Sequence, residues 1–267
     1  MRTVGRGNHS IYYELCGEGP RVLLCSGSGL TLESSAWLIQ TLARTCRVAA
    51  HDQRGLGKSG VPPGPYSMAD YAADGAALLD ALGWRRCAVV GYSFGGMVAQ
   101  EFAATFPERV SRLVLMATSA GGALGASYPL HELASLSVEE RLRKMRLLVD
   151  SRFTDEWLAG HPSDAAIIAE AAKRARAEKS AEQLRGERLQ LEARRGHDVG
   201  DRLHRIPCPT FVAAGRYDGI APVALSEAIV ARIPKARLAV YEGGHMFFVQ
   251  DRNAPREIAA FLGEDGA

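Results

Sequence analysis

VVGYSFGGMVAQEFA, residues Val89 to Ala103, sets a serine between two glycines where a continuous apolar run gives way to helical spacing. The stretch Gly91-Tyr92-Ser93-Phe94-Gly95 matches G-x-S-x-G. With 28 glycines in the chain that match is weak alone, and its setting makes it informative. The apolar strand RCAVVGY leads in and an amphipathic helix leads out, which is the strand-to-helix context the motif needs. A sharp turn there holds the serine in a strained conformation. Its hydroxyl then stands at the C-terminal edge of a sheet, where open parallel sheets place their ligands.

The flanking sequence repeats the same alternation. RTVGRG and SIYYEL read as a strand pair around the turn signal Gly7-Asn8, and RVLLCSG as a buried strand. A helix is expected from about Glu33 to Arg44, then the strand CRVAAHD, then a helix from Tyr66 to Leu82 that stops at Gly83. The helix after Ser93 ends at Pro107 and the strand RVSRLVLMAT follows. Strands without apolar/polar alternation are buried on both faces, so the class is α/β with a mainly parallel sheet covered by helices on both sides.

From Gly121 to His204 the rhythm is helical throughout, and strands return in CPTFVAAGRYD and KARLAVYEGGH. The expected division is a core over residues 1–120 and 205–267, interrupted by a helical cap at 121–204. The cap is rich in arginine, but Ser137 to Arg205 carries 15 Lys+Arg against 13 Asp+Glu. That balance describes solvated helix faces with i,i+4 pairing.

Composition removes several function classes. The 267 residues carry 32 basic and 30 acidic side chains, a net charge of +2, which offers no footprint for nucleic acid or an anionic membrane. The first twenty residues lack the apolar run of a signal peptide or membrane anchor, so a cytoplasmic protein is the default expectation. Five scattered cysteines with no C-x-x-C pair read as reduced thiols, Cys25 and Cys87 as strand core. CSGSGL lacks the G-x-G-x-x-G dinucleotide frame, and GLGKSG lacks the first glycine of a phosphate loop because Asp52 stands there. Neither a cofactor nor a metal is called for.

A serine hydroxyl needs a base to become a nucleophile. Of seven histidines, His245 follows the last strand directly, in EGGHMFF, with two glycines before it. The imidazole in turn needs a carboxylate to fix its tautomer and stabilise its charged form. Asp218, in GRYDGIAP after the preceding strand, supplies it; Asp198 and Asp201 lie in the insert, and Asp251 is too near His245 in sequence. The oxyanion of an acyl transfer needs fixed donors, for which the backbone N–H groups of Phe94 and of Ser28, in CSGSGL, are placed.

With these residues in place the chain resembles the α/β-hydrolase superfamily, in the group of small capped esterases, lactonases, C–C hydrolases and cofactor-free haloperoxidase-type enzymes. The likeness is carried by CSGSG, DQRGLGKSG (Asp52 to Gly60), GYSFGG, and GRYDGIAP with EGGHMFF. It covers nearly the whole chain except the cap. Ser26 stands where the family usually has a histidine that helps order the oxyanion loop. Asp52 and Arg54 are read as scaffold at the sheet edge.

The resemblance implies a serine hydrolase acting on a small carboxylic ester or lactone, with Trp37, Trp157 and Met246 as candidate pocket walls. A C–C hydrolase would use the same triad and needs polar groups for a dienol carboxylate, which Arg194 or Arg195 could provide only if the cap turns them inward. Glu156 and Glu192 make a poor amine site for a proline aminopeptidase. Epoxide and haloalkane hydrolases carry an aspartate at the position of Ser93. A cofactor-free peroxidase or lyase, and a ligand receptor that retains the triad, are the remaining alternatives.

Overall fold

The computed structural model describes residues 2–264. Eight strands form one sheet in the order β1-β2-β4-β3-β5-β6-β7-β8. In chain order they are β1 (Thr3–Arg6), β2 (His9–Cys16), β3 (Arg21–Cys25), β4 (Arg47–His51), β5 (Cys87–Tyr92), β6 (Val110–Met116), β7 (Thr210–Gly215) and β8 (Ala236–Tyr241). β1 and β2 form the antiparallel hairpin, β2 runs antiparallel to β4, and every pair from β4 through β8 is parallel.

The parallel strands drop their alternation for the expected reason. Leu23, Ala49, Val89, Leu113 and Val212 pack on one face of the sheet, and their neighbours Leu24, Ala50, Val90, Val114 and Phe211 pack on the other. Helices α2 (Met68–Ala81) and α3 (Phe94–Thr105) cover the first face, joined later by α8 (Val223–Val230). The opposite face is covered by α1 (Ala36–Leu42) and α10 (Asn253–Gly263), with the one-turn α9 (Phe247–Gln250) before it.

Local chemistry sets the helix ends. α1 is shorter than the 33–44 expected: Ser34 Oγ accepts the Thr31 N–H at 2.8 Å and Ser35 Oγ donates to the Thr31 carbonyl at 2.7 Å. Those serine and threonine bonds offer the backbone a turn in place of the first helical turn. α2 begins at a capping box between Ser67 and Asp70 and stops before Gly83, whose φ of +64° only glycine adopts without strain.

Between β6 and β7 lie α4 (Val138–Val149), α5 (Asp155–Gly160), α6 (Pro162–Arg176) and α7 (Ala181–Arg195), with short 3-10 turns and no named strand. Among the described residues, none in α4, α5 or α6 is buried, whereas α7 buries Gly186, Leu189, Gln190, Ala193 and Arg194. A Cβ on Gly186 would overlap the Gly55 carbonyl oxygen, so two bare backbones meet there. No helix among the described residues is long and apolar enough to cross a membrane.

The strand order fixes where ligands can sit. The chain goes from β3 to β4 on one side and then crosses to β5 on the other, so the loops after β3 and β5 part at the C-terminal edge. A crevice opens at such a switch point. Ser26–Gly29 and Ser93 occupy its two sides.

Candidate active site

Ser93 alone joins β5 to α3, with φ 55° and ψ −116°. A serine at positive φ is strained and persists only where its surroundings hold it. Its N–H donates to the Met116 carbonyl at 2.8 Å, and Thr118 Oγ1 donates to its carbonyl at 2.8 Å. The glycines of the motif make the turn possible: a Cβ on Gly95 would overlap the Cys25 carbonyl, and one on Gly91 would overlap Gly95 and Gly96. Bare backbone at both positions lets α3 start directly against β3 and β5.

His245 Nε2 lies 2.9 Å from Ser93 Oγ and its Nδ1 2.8 Å from Asp218 Oδ2. All three side chains are buried. Asp218 is acceptor-only when ionised, so Nδ1 carries the proton toward it and Nε2 is left to accept from the serine hydroxyl. The other carboxylate oxygen, Oδ1, accepts the Ile220 and Ala221 N–H groups at 2.8 and 2.9 Å, which fixes its orientation. His245 is held from its backbone as well: its N–H donates to the Val149 carbonyl at 2.6 Å, and Tyr92 Oη donates to its carbonyl at 3.2 Å.

Among the described residues the N–H groups of Ser28 and of Phe94, the first residue of α3, donate to no protein acceptor. The loop that carries Ser28 is ordered without the histidine that Ser26 replaces. Gln53 Nε2 donates to the Ser26 carbonyl at 2.7 Å, and Gln190 Oε1, reaching down from α7, accepts the Gly29 N–H at 2.8 Å. Neither glutamine is marked by a motif.

A cavity of about 870 Å³ opens over Ser93 and His245. Leu30, Met145, Val149, Ile167 and Ile220 give it apolar walls, and Asp164, Glu170, Arg174 and Arg252 mark its outer part. Trp37 and Met246 line it. Trp157 does not: it stacks on His161 with ring centroids 3.8 Å apart and donates from Nε1 to Asp164 at 2.8 Å. Its neighbours His161 and Asp164 reach the cavity in its place. Tyr92 and Gln250, unremarked in the sequence, also line it.

The residues read as scaffold lie elsewhere. Asp52 accepts the Leu32 and Lys58 N–H groups at 2.7 and 2.8 Å, and buried Arg54 makes a two-pronged pair with Asp74, both contacts at 2.7 Å. Cys25 and Cys87 sit in the core, where burial pushes each thiol up to about 12. Arg194 turns inward, but to a separate and smaller cavity, and Arg195 stands at the rim of that one. Among the described residues no group of three or more His, Cys, Asp or Glu side chains is spaced to hold a metal ion.

Residues 20–180 match the model of the alpha/beta hydrolase fold. The chain is 31% identical over 261 residues to the poly(3-hydroxyalkanoate) depolymerase of Ectopseudomonas oleovorans, covering 97% of this chain and 90% of that one. It is 30% identical over 264 residues to a protein of Azorhizobium caulinodans named for carbamate hydrolysis, covering 97% of each. Among solved structures, a hydrolase from Pseudomonas aeruginosa superposes with a TM-score of 0.81 at 30% identity, covering 98% of both chains. The chain is a member of the α/β-hydrolase fold family.

Proposed function

We propose that the protein is a serine hydrolase that cleaves a small carboxylic ester or lactone through an acyl-enzyme on Ser93. The observation that carries this reading is the continuous relay of 2.9 and 2.8 Å from Ser93 through His245 to Asp218, beside two unengaged backbone donors. Ser93 Oγ attacks the carbonyl carbon while His245 Nε2 takes its proton. The oxyanion is received by the Phe94 and Ser28 N–H groups. His245 then gives the proton to the departing alkoxide as the carbon–oxygen bond breaks. A water, deprotonated by the same nitrogen, adds to the acyl carbon, and Ser93 leaves with the proton returned to it.

The helices between β6 and β7 act as a cap in this reading. They roof the cavity and limit bulk water at the acyl-enzyme. The apolar walls favour an acyl or alkoxy group of modest size, and the cavity of about 870 Å³ falls within the range of small-molecule sites. C–C cleavage stays the alternative: Arg194, the candidate holder of a dienol carboxylate, lines the separate cavity, while Arg174 and Arg252 line this one.

The test is turnover of a panel holding aryl esters, lactones, carbamates and dienol ketones, run beside Ser93→Ala. The reading expects ester or lactone hydrolysis, abolished in the variant, and labelling of Ser93 by a fluorophosphonate. Carbamates turned over in preference to every ester would move the substrate class, and unchanged turnover in the variant would overturn the mechanism.

A further inference from the structure

A second cavity, of about 140 Å³, lies where the helical insert joins the core. Its walls come from both roots of the insert, Gly121–Pro129 on the way out and Arg194–His197 on the way back, closed below by Met97 and Ser119. The roots themselves are joined by an isolated bridge between Gly121 and Asp198. The catalytic relay makes no use of this space.

Its chemistry is unusual for a buried place. Arg194 is 6% exposed, and among the described residues no carboxylate lies within ion-pair distance of it. Burial alone pulls it down to about 10, with no opposing partner. The other deeply buried arginine, Arg54, is matched by Asp74. A guanidinium has five N–H donors. Nη2 gives two, to Ser127 Oγ at 2.7 Å and the Tyr128 carbonyl at 2.8 Å, and the Nε–H is buried with no acceptor among the described residues. His197, 5% exposed, lies beside Ser119 with no well-formed hydrogen bond from its ring, and Arg195 adds a second cation at the rim. No aspartate or glutamate lines the cavity.

An unpaired buried cation with spare donors is costly unless an anion completes it. We infer that this cavity is a binding site for a small carboxylate, held by the free Nε–H of Arg194 at the root of the insert. Both Nη2 protons are taken, so the buried Nε–H meets the anion singly, and the small volume favours a compact carboxylate over a bulkier anion. A volume of about 140 Å³ takes an anion of a few non-hydrogen atoms, or about four to five waters at roughly 30 Å³ each. Occupancy is linked to the nucleophile through a short path: Ser119 follows Thr118, whose hydroxyl holds the Ser93 carbonyl. An anion there ties the two roots together and stiffens the base of the insert. The inference stands whether or not Ser93 hydrolyses esters.

The experiment is an acetate titration of protein carrying 15N-labelled histidine, read at the rings of His197, His131 and His245. The expected result is a saturable shift of His197 and of His131, which also lines the cavity, weakened at least tenfold in Arg194→Gln and less in Arg194→Lys, which keeps the charge without the Nε–H. Arg176→Gln, on the exposed surface of α6, leaves the shift within twofold. If Arg194→Gln does not fold, the lysine variant and the location of the shift carry the test. A response confined to His245, or no saturable response, overturns the site. Inorganic phosphate binding as tightly as acetate overturns its assignment to carboxylates.

Discussion

Gln250 Oε1 accepts the Gly244 N–H at 2.9 Å, one residue before His245. The same carboxamide donates from Nε2 to Asp150 at 3.0 Å and to Asp164, on α6, at 3.2 Å. One side chain therefore ties the histidine loop to the helices that roof the cavity. Gln250→Leu keeps the volume and removes all three bonds. The expected outcome is a kcat lower by about tenfold, or about 1.4 kcal/mol in the barrier, with a smaller change in KM. Steady-state kinetics on one aryl ester decides it; an unchanged kcat refutes the coupling.

Ser93→Ala and Asp218→Asn separate the nucleophile from its support. Removing the hydroxyl is expected to lower kcat by about 10⁵- to 10⁶-fold, and the asparagine, which favours the wrong imidazole tautomer, by about 10⁴-fold. Both variants should unfold within a few degrees of the parent. The double variant should be no worse than Ser93→Ala, because the residues act as one unit.

Buried ion pairing makes Asp74 a stability residue. It answers Arg54 at 2.7 Å and lies 3.6 Å from both Arg6 and His9. Asp74→Ala leaves the buried Arg54 guanidinium with only the Asp70 carboxylate at 3.3 Å, and the expected cost in urea unfolding lies at or below the low end of the roughly 3–5 kcal/mol of a buried charge left wholly unpaired. Replacing both residues, as Arg54→Met with Asp74→Leu, should recover much of that loss. Equal destabilisation by the single and double variants would show that packing, not charge, governs the site.

Two buried histidines set an acid limit. Burial lowers His51 and His197 to about 4 each, below the value of about 6.5 that both take in the unfolded chain. Between those values the unfolded state binds more protons, so stability falls as pH falls from 6.5 toward 4. The combined slope reaches about 3 kcal/mol per pH unit when both contribute fully. Urea titrations across that window test it, and His51→Asn should flatten the slope by about half.

Gly186 is expected to tolerate no side chain. Gly186→Val drives a branched side chain into the Gly55 carbonyl, which is backbone and has little room to yield. A loss of about 1–3 kcal/mol is expected from such overpacking. A thermal midpoint equal to the parent's would show that α7 can lift freely.

Much of the fold could be read in advance because the parallel strands announce themselves by unbroken apolar runs. The same logic located Ser93, Asp218 and His245, each at a strand end where a loop turns out of the sheet. What escaped notice acts through geometry that leaves no local trace. Gln53 and Gln190 order the loop at Ser26–Gly29 from 27 and 161 residues away in sequence. Trp157 is a candidate wall by sequence, yet its stacking on His161 turns it aside. Helix faces in the insert are nearly balanced in charge and give no sign of which side turns inward, so the inward Arg194 could not be distinguished from its exposed neighbour Arg195.

The bare contact between Gly186 and Gly55 divides the insert by mechanical attachment. α7 is fastened to the core there, by Arg185 to the Val61 carbonyl at 2.7 Å, and by Gln190 to Gly29. α4, α5 and α6 bury no residue of their own among those described. Substitutions on the exposed faces of α5 and α6 therefore meet few packing constraints, whereas Asp150 and Phe153, both fully buried, and the Val149 carbonyl that accepts from His245 fasten the junction of α4 and α5 to the histidine loop. An exchange of the insert that keeps Asp150, Phe153 and α7 leaves both of its anchor points in place.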